Sequence, residues 1–281
     1  MAWQDDITQL WVRTTGRRID PEREAWLLGP IGDPELIDDR FIRQLMEDEG
    51  LERRDAAAGA GLLESIDDLG LDGAERDRIN GKVADFYEHT ADYDFEVWSD
   101  WNPFFRPFAW LLNRVFSKRL QQLNLPLSPL DTARGLRSRV IKLVEPESGN
   151  TRYTIWYRII KRTGDVIYSG VYTACRHPQY GHPLLKVSFP LPNGSATVVM
   201  NRTVEADGSL LLRSDGNTFG ENGFYFTLTD RRGSWWAKFV PAMHEWIRVY
   251  ADGEGVLRAD HHLQFFGCRL LDLHYKMVRF R

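Results

Sequence analysis

Histidine and acidic side chains recur in three stretches near the end of the sequence that read as consecutive β-strands. These stretches carry His244-Glu245, His261-His262 and His274-Tyr275. A carboxylate that orients an imidazole makes a general base, and pairing of neighbouring strands would bring such groups within reach. Because sequence neighbours point to opposite faces of a strand, only one member of each pair can reach a given interior. His261 and Tyr275 are therefore the candidate acid/base pair, and polar residues satisfied within the sheet are the alternative.

A second group lies in the loop 176–183, where an Arg and two His stand among Pro and Gly. Loops at the ends of sheets often carry function, and these side chains suit an anion. The predicted ligand-binding residues are Arg176, His177 and His182 from this loop, with Trp156 and Phe265 from the strands. A metal ion would need a third ligand, which the spacing does not supply, so no metal site is predicted. The alternative is an ordered surface loop.

The strong catalytic signatures are absent from the sequence. It has no Gly-x-Gly-x-x-Gly, P-loop, Gly-x-Ser-x-Gly, His-Glu-x-x-His or Cys-x-x-Cys motif. We therefore expect no cofactor. Two distant cysteines, Cys175 and Cys268, are expected to be reduced and buried.

Charge is divided unevenly along the 281 residues. Residues 1–100 carry 11 Lys and Arg against 26 Asp and Glu, whereas residues 101–281 carry 25 against 14. The favoured interpretation is that the acidic part packs on the basic part; the alternative is that the basic part faces an anionic ligand or surface. No recognised nucleic-acid docking element accompanies the basic part, so nucleic-acid binding is not expected.

Apolar spacing predicts helices in the first 125 residues and strands thereafter. Helices are expected near 1–27, after Pro34, from Asp72 to Thr90 and from Phe104 to Leu123, with a short strand at Tyr93–Trp98. Alternation with frequent turn residues then predicts eleven antiparallel strands: 138–145, 151–161, 166–174, 184–189, 196–205, 209–213, 224–230, 235–240, 245–251, 256–266 and 269–280.

The strand faces indicate what the sheet encloses. Tyr153, Ile155 and Tyr157 share one face of their strand, and Trp156 and Ile160 share the other. Two apolar faces fit a sheet covered by helices on one side and enclosing something on the other. A barrel of this size can keep an apolar cavity, the usual form of a small-ligand site. The alternative is a solid core in which His261 bonds to a neighbour.

Three segments carry a resemblance to known proteins: Phe86-Tyr-Glu-His-Thr90, Leu120-Gln-Gln-Leu-Asn-Leu-Pro126, and Leu257-Arg-Ala-Asp-His-His262 with Phe266-Gly267 and Leu273-His-Tyr275. On these, the stretch 85–281 resembles the soluble C-terminal part of YndJ-like bacterial proteins. The resemblance implies a bacterial module with an antiparallel sheet, and it transfers no catalytic residues.

The sequence thus predicts an α+β fold. An acidic helical region (1–125) packs as one unit on a large antiparallel, barrel-like sheet (132–281). The first functional hypothesis is binding of a small apolar or amphipathic molecule, with Arg176 or His261 facing its anionic group. The second is acid/base chemistry of an isomerase or cyclase type in the same cavity. The third is a peripheral membrane or interaction module built on Phe104–Leu123. Without an export signal or a long apolar run, the expected location is the cytoplasm.

Overall fold

The computed structural model of the protein describes residues 3–32, 37, 40–55, 59–107, 110, 136–161, 164, 166–230 and 232–280. Most of the predicted helix Phe104–Leu123 and all of the segment 125–132 lie outside these residues. The described helices are α1 (Trp3–Thr15), α2 (Arg40–Glu49), α3 (Gly73–Arg78) and α4 (Gly81–Glu88), with 3-10 helices at Ile66–Leu69 and Thr90–Asp92.

The described strands are β1 (Arg17–Ile19), β2 (Glu52–Asp55), β3 (Tyr93–Trp101), β4 (Leu136–Val144), β5 (Thr151–Ile160), β6 (Val166–Cys175), β7 (Leu184–Leu191), β8 (Gly194–Val204), β9 (Leu210–Ser214), β10 (Gly223–Thr229), β11 (Trp235–Phe239), β12 (Met243–Ala251), β13 (Leu257–Phe265) and β14 (Cys268–Arg279). The eleven strands predicted after residue 136 are all present. Runs of strand-forming residues bounded by turn residues are local signals, which is why they located the strands correctly.

Ten of the strands close into an antiparallel barrel. The ring runs β8-β7-β6-β5-β4-β3-β14-β13-β12-β9 and returns from β9 to β8. The edge of β8 that faces away from β7 pairs with two different strands. Residues Gly194–Val199 pair with β10, and residues Asn201–Val204 pair with β9. Strands β10, β11 and β1 therefore extend outward from the barrel as a branch, and β2 adds to β4. The α+β prediction holds in its broad form, with the barrel as the dominant element.

The two ends of the barrel differ in what they carry. We call the upper end the one with the β4–β5, β6–β7, β8–β9 and β12–β13 turns, and the lower end the one with the β7–β8 and β13–β14 turns. Residues 59–92, called the inner segment below, lie at the upper end. There the amide of Asn80 donates to the carbonyl of Gly208 (2.9 Å) and Lys82 Nζ donates to the carbonyl of Gly255 (2.5 Å).

The inner segment fills the upper half of the barrel. Its apolar side chains form one buried cluster to which all ten barrel strands contribute. The segment supplies Leu62, Leu63, Ile66, Leu69, Ile79, Val83, Ala84, Phe86 and Tyr87, and the strands supply Tyr93, Phe95, Val140, Trp156, Tyr172, Leu185, Val187, Val198, Met200, Val204, Leu210, Leu212, Val249, Leu257, Ala259 and Met277. An eight-stranded barrel is filled by its own side chains, whereas a ten-stranded one is wider and can hold a helix.

Arg202 on β8 holds the inner segment in place from within the barrel. Its Nε donates to the carbonyl of Leu69 (3.1 Å), and its other two nitrogens donate to the carbonyl of Gly70 and to the Glu75 carboxylate. The Arg202 side chain is only 7% exposed. The guanidinium therefore satisfies two carbonyls at the end of the 3-10 helix and one carboxylate at the start of α3.

The inner segment differs from the single helix predicted at 72–90. It breaks between α3 and α4, because Ile79 is extended (ψ 134°) and Asn80 caps a new helix by accepting from the amide of Lys82. Gly70 ends the 3-10 helix with φ +65°, and a Cβ there would lie 2.5 Å from Pro183 Cδ. Both the backbone conformation and the close approach therefore require glycine.

Helix α2 covers the outside of the barrel at β4–β6. Phe41 and Ile42 pack on Ile141, Leu143 and Ile155. Tyr153 and Tyr157 are partly buried against the same cluster. Since Trp156 belongs to the interior cluster, the two apolar faces predicted for β5 are as expected. A separate cluster packs Trp26 and Leu27 on the branch strands.

Two expectations need correction. The helical region before residue 125 also supplies three strands, and β3 is part of the barrel wall through nine register pairs with β14. Its alternation extends to Trp101, beyond the predicted end at Trp98. Of the two free cysteines, Cys175 is buried but Cys268 is exposed, because it begins β14 at the β13–β14 turn.

The role of Arg202 can be tested by Arg202→Met. We expect this change to lower the free energy of unfolding by about 3 kcal/mol, because it leaves the Glu75 carboxylate and two carbonyls unpaired. The measurement is urea unfolding. The matched control is Arg213→Met, which removes an exposed partner of Asp215 (3.8 Å) and is expected to cost about 0.5 kcal/mol or less. Equal unfolding midpoints for the two variants would contradict the assigned role.

Candidate functional site

Polar side chains gather inside the barrel below the inner segment. Five residues from five strands make up this group, called the polar layer below: Ser99 (β3), Arg158 (β5), Glu245 (β12), His261 (β13) and Tyr275 (β14). In its strand, each lies an even number of residues from a member of an interior cluster, so it points to the same side of the sheet. Leu263, Leu271 and Leu273 pack beneath it as a second apolar cluster. A few polar groups converging in apolar surroundings is the usual character of a small-molecule site.

Glu245 and His261 form a hydrogen-bonded pair in the polar layer. His261 Nε2 lies 2.7 Å from Glu245 Oε2, and both side chains are largely buried. The carboxylate only accepts hydrogen bonds, so Nε2 carries the proton. Nδ1 of His261 has no hydrogen-bond partner among the described residues. In the neutral imidazole its lone pair is therefore available in the interior, which is the arrangement of an oriented general base.

The structure brings Glu245 to His261 through the register of β12 and β13. His261 is directly opposite Ile247, and Glu245 is directly opposite Leu263, so the two polar residues are diagonal neighbours on one face. The amide of Glu245 in turn donates to Ser214 Oγ (3.1 Å) on β9. The pair is thus fixed by three adjacent strands.

Arg158 brings a positive charge into the interior. The side chain is 2% exposed, and its guanidinium carbon lies 4.6 Å from the Trp156 ring centroid, 4.9 Å from that of Phe95 and 5.1 Å from that of Tyr275. Aromatic faces stabilise a cation at these distances. Tyr275 is thus next to the Arg158 charge. It is also a diagonal neighbour of His261 in the β13–β14 pair.

Ser99 adds a hydroxyl to the polar layer. It lies in one row with Leu273 and His261 across three adjacent strands. Its Oγ is buried, and no hydrogen bond to it is formed within the described part of the chain. Such a group is unusual in a packed interior and fits a site that accepts a polar partner.

The predicted catalytic and ligand-binding residues fall into three separate places. His261, Tyr275 and Trp156 face the barrel interior, where Trp156 Nε1 donates to Ser138 Oγ (2.5 Å). Phe265 ends β13 at the lower end, with its ring centroid 6.3 Å from that of Phe105.

The other three predicted residues lie in the β6–β7 loop at the upper end, away from the polar layer. Arg176 is exposed. His177 is buried against Trp26 (centroids 4.1 Å apart), and burial lowers the pKa of its imidazole. His182 Nε2 lies 2.8 Å from Asn201 Oδ1. The role of these residues in binding stays a prediction.

A surface cavity of about 400 Å³ lies beside the inner segment, lined in part by Gly61, Glu64 and Lys142. Lys142 Nζ donates to Glu64 (2.5 Å), as does Thr151 Oγ1 (2.9 Å). These hydrogen bonds, mainly the one from Lys142, hold the pKa of Glu64 below its usual value despite partial burial. Glu64 is bonded to Lys142 and Thr151 there, whereas the polar layer contains Ser99 Oγ, which forms no hydrogen bond in the described part of the chain. The polar layer is therefore the better candidate.

Sequence reasoning missed Arg158 and Ser99. Arg158 stands two residues after Trp156 in an alternating strand, so a charge on the apolar interior face was visible in the sequence. Ser99 gave no signal of its own, because its role depends on the pairing of β3 with β14.

On the outer face, His262 and His274 bond to acids across the β13–β14 pair. His262 Nδ1 lies 2.8 Å from Asp272 Oδ1, and His274 Nδ1 lies 2.7 Å from Asp260 Oδ1. The predicted separation of sequence neighbours is therefore observed: His261 points inward, and His262 points outward. Within the described residues no group of three or more His, Cys, Asp or Glu side chains is arranged to hold a metal ion.

Comparison with known proteins supports the resemblance seen in the sequence. The chain is 25% identical over 221 residues to a protein of Bacillus subtilis (strain 168) described as "Uncharacterized membrane protein YndJ". The match covers 78% of this chain and 38% of that protein, so the chain spans well under half of its relative's length. No family model and no solved structure matches the chain. Every helix in the described ranges is too short or too polar to cross a membrane.

The hydrogen bonds predict opposite tautomers for the interior and exterior histidines. At a pH where the rings are neutral, His261 should carry its proton on Nε2, and His262 and His274 on Nδ1, because each proton points at a carboxylate. Long-range ¹H–¹⁵N NMR spectra distinguish the two forms. Asp272→Ala should change the tautomer of His262 alone. The same Nε2–H form in all three rings would contradict the assigned geometry.

Proposed function

We propose that the protein binds a small amphipathic molecule with one negative charge inside the barrel, at the polar layer. The observation that carries the proposal is the presence of four polar side chains, Arg158, Glu245, His261 and Ser99, on the interior face of a closed barrel. The same interior holds two apolar clusters. The fold itself is compatible with ligand binding.

The charges of the polar layer favour an anion. Arg158 is permanently positive and Glu245 offsets it when ionised. The Glu245 carboxylate is hydrogen-bonded to His261, whereas the Arg158 guanidinium lies among aromatic rings. A carboxylate or similar group placed beside Arg158 would neutralise its charge, and in a low-dielectric interior this attraction is much stronger than in water.

The surroundings favour an apolar body on the same molecule. Phe95, Trp156 and Tyr275 surround the Arg158 charge, and Leu263 and Leu273 lie on the lower side. Burying the apolar part of a ligand against such groups contributes roughly 25 cal/mol per Å² of apolar surface removed from water. Charge would then give orientation and the apolar contacts would give most of the affinity.

Binding can be tested with a fluorescent long-chain carboxylate and its uncharged alcohol analogue. The wild-type protein should bind the carboxylate at least 10-fold more tightly than the alcohol, because a charge-assisted contact contributes about 1.5–3 kcal/mol. Arg158→Met should remove this difference, and Arg158→Lys should keep part of it. His274→Gln, on the outer face, is the control and should bind as the wild type does.

Three outcomes would refute this proposal. One is that neither probe binds. Another is that the two probes bind the wild-type protein equally. The third is that Arg158→Met, shown to be folded by circular dichroism, keeps the preference for the carboxylate. Native mass spectrometry of freshly purified protein, followed by solvent extraction, gives the identity of any molecule that the protein carries.

The Glu245–His261 pair favours a second candidate function, proton transfer on the bound molecule. A histidine oriented by a carboxylate, with its second nitrogen facing the site, is suited to remove a proton from a carbon acid. Tyr275 lies on the same interior face and could return a proton. The chemistry would be of the isomerase or cyclase class, in which positioning within a shaped interior contributes much of the rate.

Proton transfer can be measured without knowing the product. The molecules extracted from the protein are incubated with it in D₂O, and deuterium incorporation is followed by mass spectrometry. We expect incorporation with the wild-type protein and a loss of at least 100-fold in His261→Asn, because general-base catalysis contributes about 10²–10⁴-fold. His262→Asn, one residue away but outside the barrel, is the matched control. Equal incorporation in both variants would refute the catalytic role.

A further inference from the structure

The outer face of β13 and β14 carries two histidines and two aspartates in a square, called the His–Asp lattice below. His262 is directly opposite Asp272, and His274 is directly opposite Asp260. The two imidazoles therefore occupy one diagonal of the square, and the two carboxylates occupy the other. The ring centroids of His262 and His274 lie 6.1 Å apart, with the rings nearly perpendicular (79°).

Each imidazole in the lattice has one nitrogen committed and one free for a ligand. The carboxylates of Asp272 and Asp260 accept from Nδ1, so Nε2 of His262 and of His274 bears a lone pair when the ring is neutral. The two side chains are 46% and 49% exposed, so a solute can reach them. An imidazole whose other nitrogen donates to a carboxylate is the arrangement in which histidine binds metals in proteins.

From this geometry we propose that His262 and His274 form a surface site for a divalent transition metal of the zinc, copper or nickel class. Imidazole nitrogen suits these ions. A tetrahedral ion about 2.0–2.1 Å from both Nε2 atoms would place the ring centroids roughly 5 Å apart, about 1 Å closer than they lie in the structure. Two imidazoles would bind the ion, and water would complete its coordination.

The charges around the lattice are consistent with a cation. Asp260 accepts hydrogen bonds from His274 and from the Tyr250 hydroxyl. Asp272 accepts from His262 and from Arg269, whose NH1 lies 3.2 Å from Asp272 and 2.8 Å from Asp100. Asp100, Asp260 and Asp272 thus outweigh the one arginine that contacts them. Arg248, opposite Asp260 on β12, is paired with Glu205 and Asp207. The ion would therefore meet a surface of net negative charge.

The site is tested by titrating tag-free protein with zinc chloride in competition with a chromophoric zinc indicator. We expect one zinc ion per chain. His262→Gln and His274→Gln should each weaken binding at least 10-fold, because each removes one of the two protein ligands. His244→Gln is the matched control, since His244 is an exposed histidine of the same sheet that bonds to the carbonyl of Pro241 (2.9 Å). It should bind zinc as the wild type does.

The carboxylates give an independent measurement. Asp272→Asn and Asp260→Asn should weaken zinc binding about 10–100-fold, the usual effect of removing such a partner. On addition of zinc, the Nε2 resonances of His262 and His274 should shift together in ¹⁵N NMR spectra. No zinc binding, binding that survives both His262→Gln and His274→Gln, or binding lost in only one of these two variants would overturn the proposal.

Discussion

The packing of the barrel interior depends on the hydrogen bonds that the Arg202 guanidinium donates there. A ring of ten strands encloses more space than its own side chains fill, which leaves room for another part of the chain. The inner segment does so, but it brings helix ends whose carbonyls have no partner within their helices. Arg202 donates to two of these carbonyls and to Glu75 from the barrel wall. Because Arg202 satisfies these carbonyls, the backbone around Leu69 can be buried together with the apolar side chains that it carries.

The uneven charge of the sequence is resolved by the same packing. Acidic residues of the first hundred positions pair with basic residues of the barrel strands, and two of these acids, Glu96 and Asp100, lie in the barrel strand β3 itself. The pairs include Glu64–Lys142, Glu75–Arg202, Asp85–Arg279, Glu96–Lys276 and Asp100–Arg269. Most are exposed, so each contributes little to stability.

Local patterns in the sequence predicted the strands well, and predicted the interior poorly. Alternation placed all eleven strands and assigned Trp156 and Ile155 to opposite faces, because side-chain direction along a strand is set locally. The apolar residues between Leu62 and Phe86 showed that a face is buried without showing against what. Nothing in their spacing distinguishes a helix that lies on a sheet from one that a sheet surrounds. The pairing of Glu245 with His261 required the register of two strands, and the contact of Arg158 with Tyr275 required the closure of the ring.

The way the ring closes has a consequence for how the protein is made. The barrel wall is completed only when β3 pairs with β14, whose residues follow β3 by more than 160 positions. During synthesis the inner segment leaves the ribosome before any of the ten strands that surround it. Its apolar side chains must therefore remain exposed or be shielded by other factors until Cys268–Arg279 has been translated. Such distant pairing slows folding and leaves unpaired edges open to association. The order of the elements along the chain thus makes burial of the inner segment depend on the strand that is translated last.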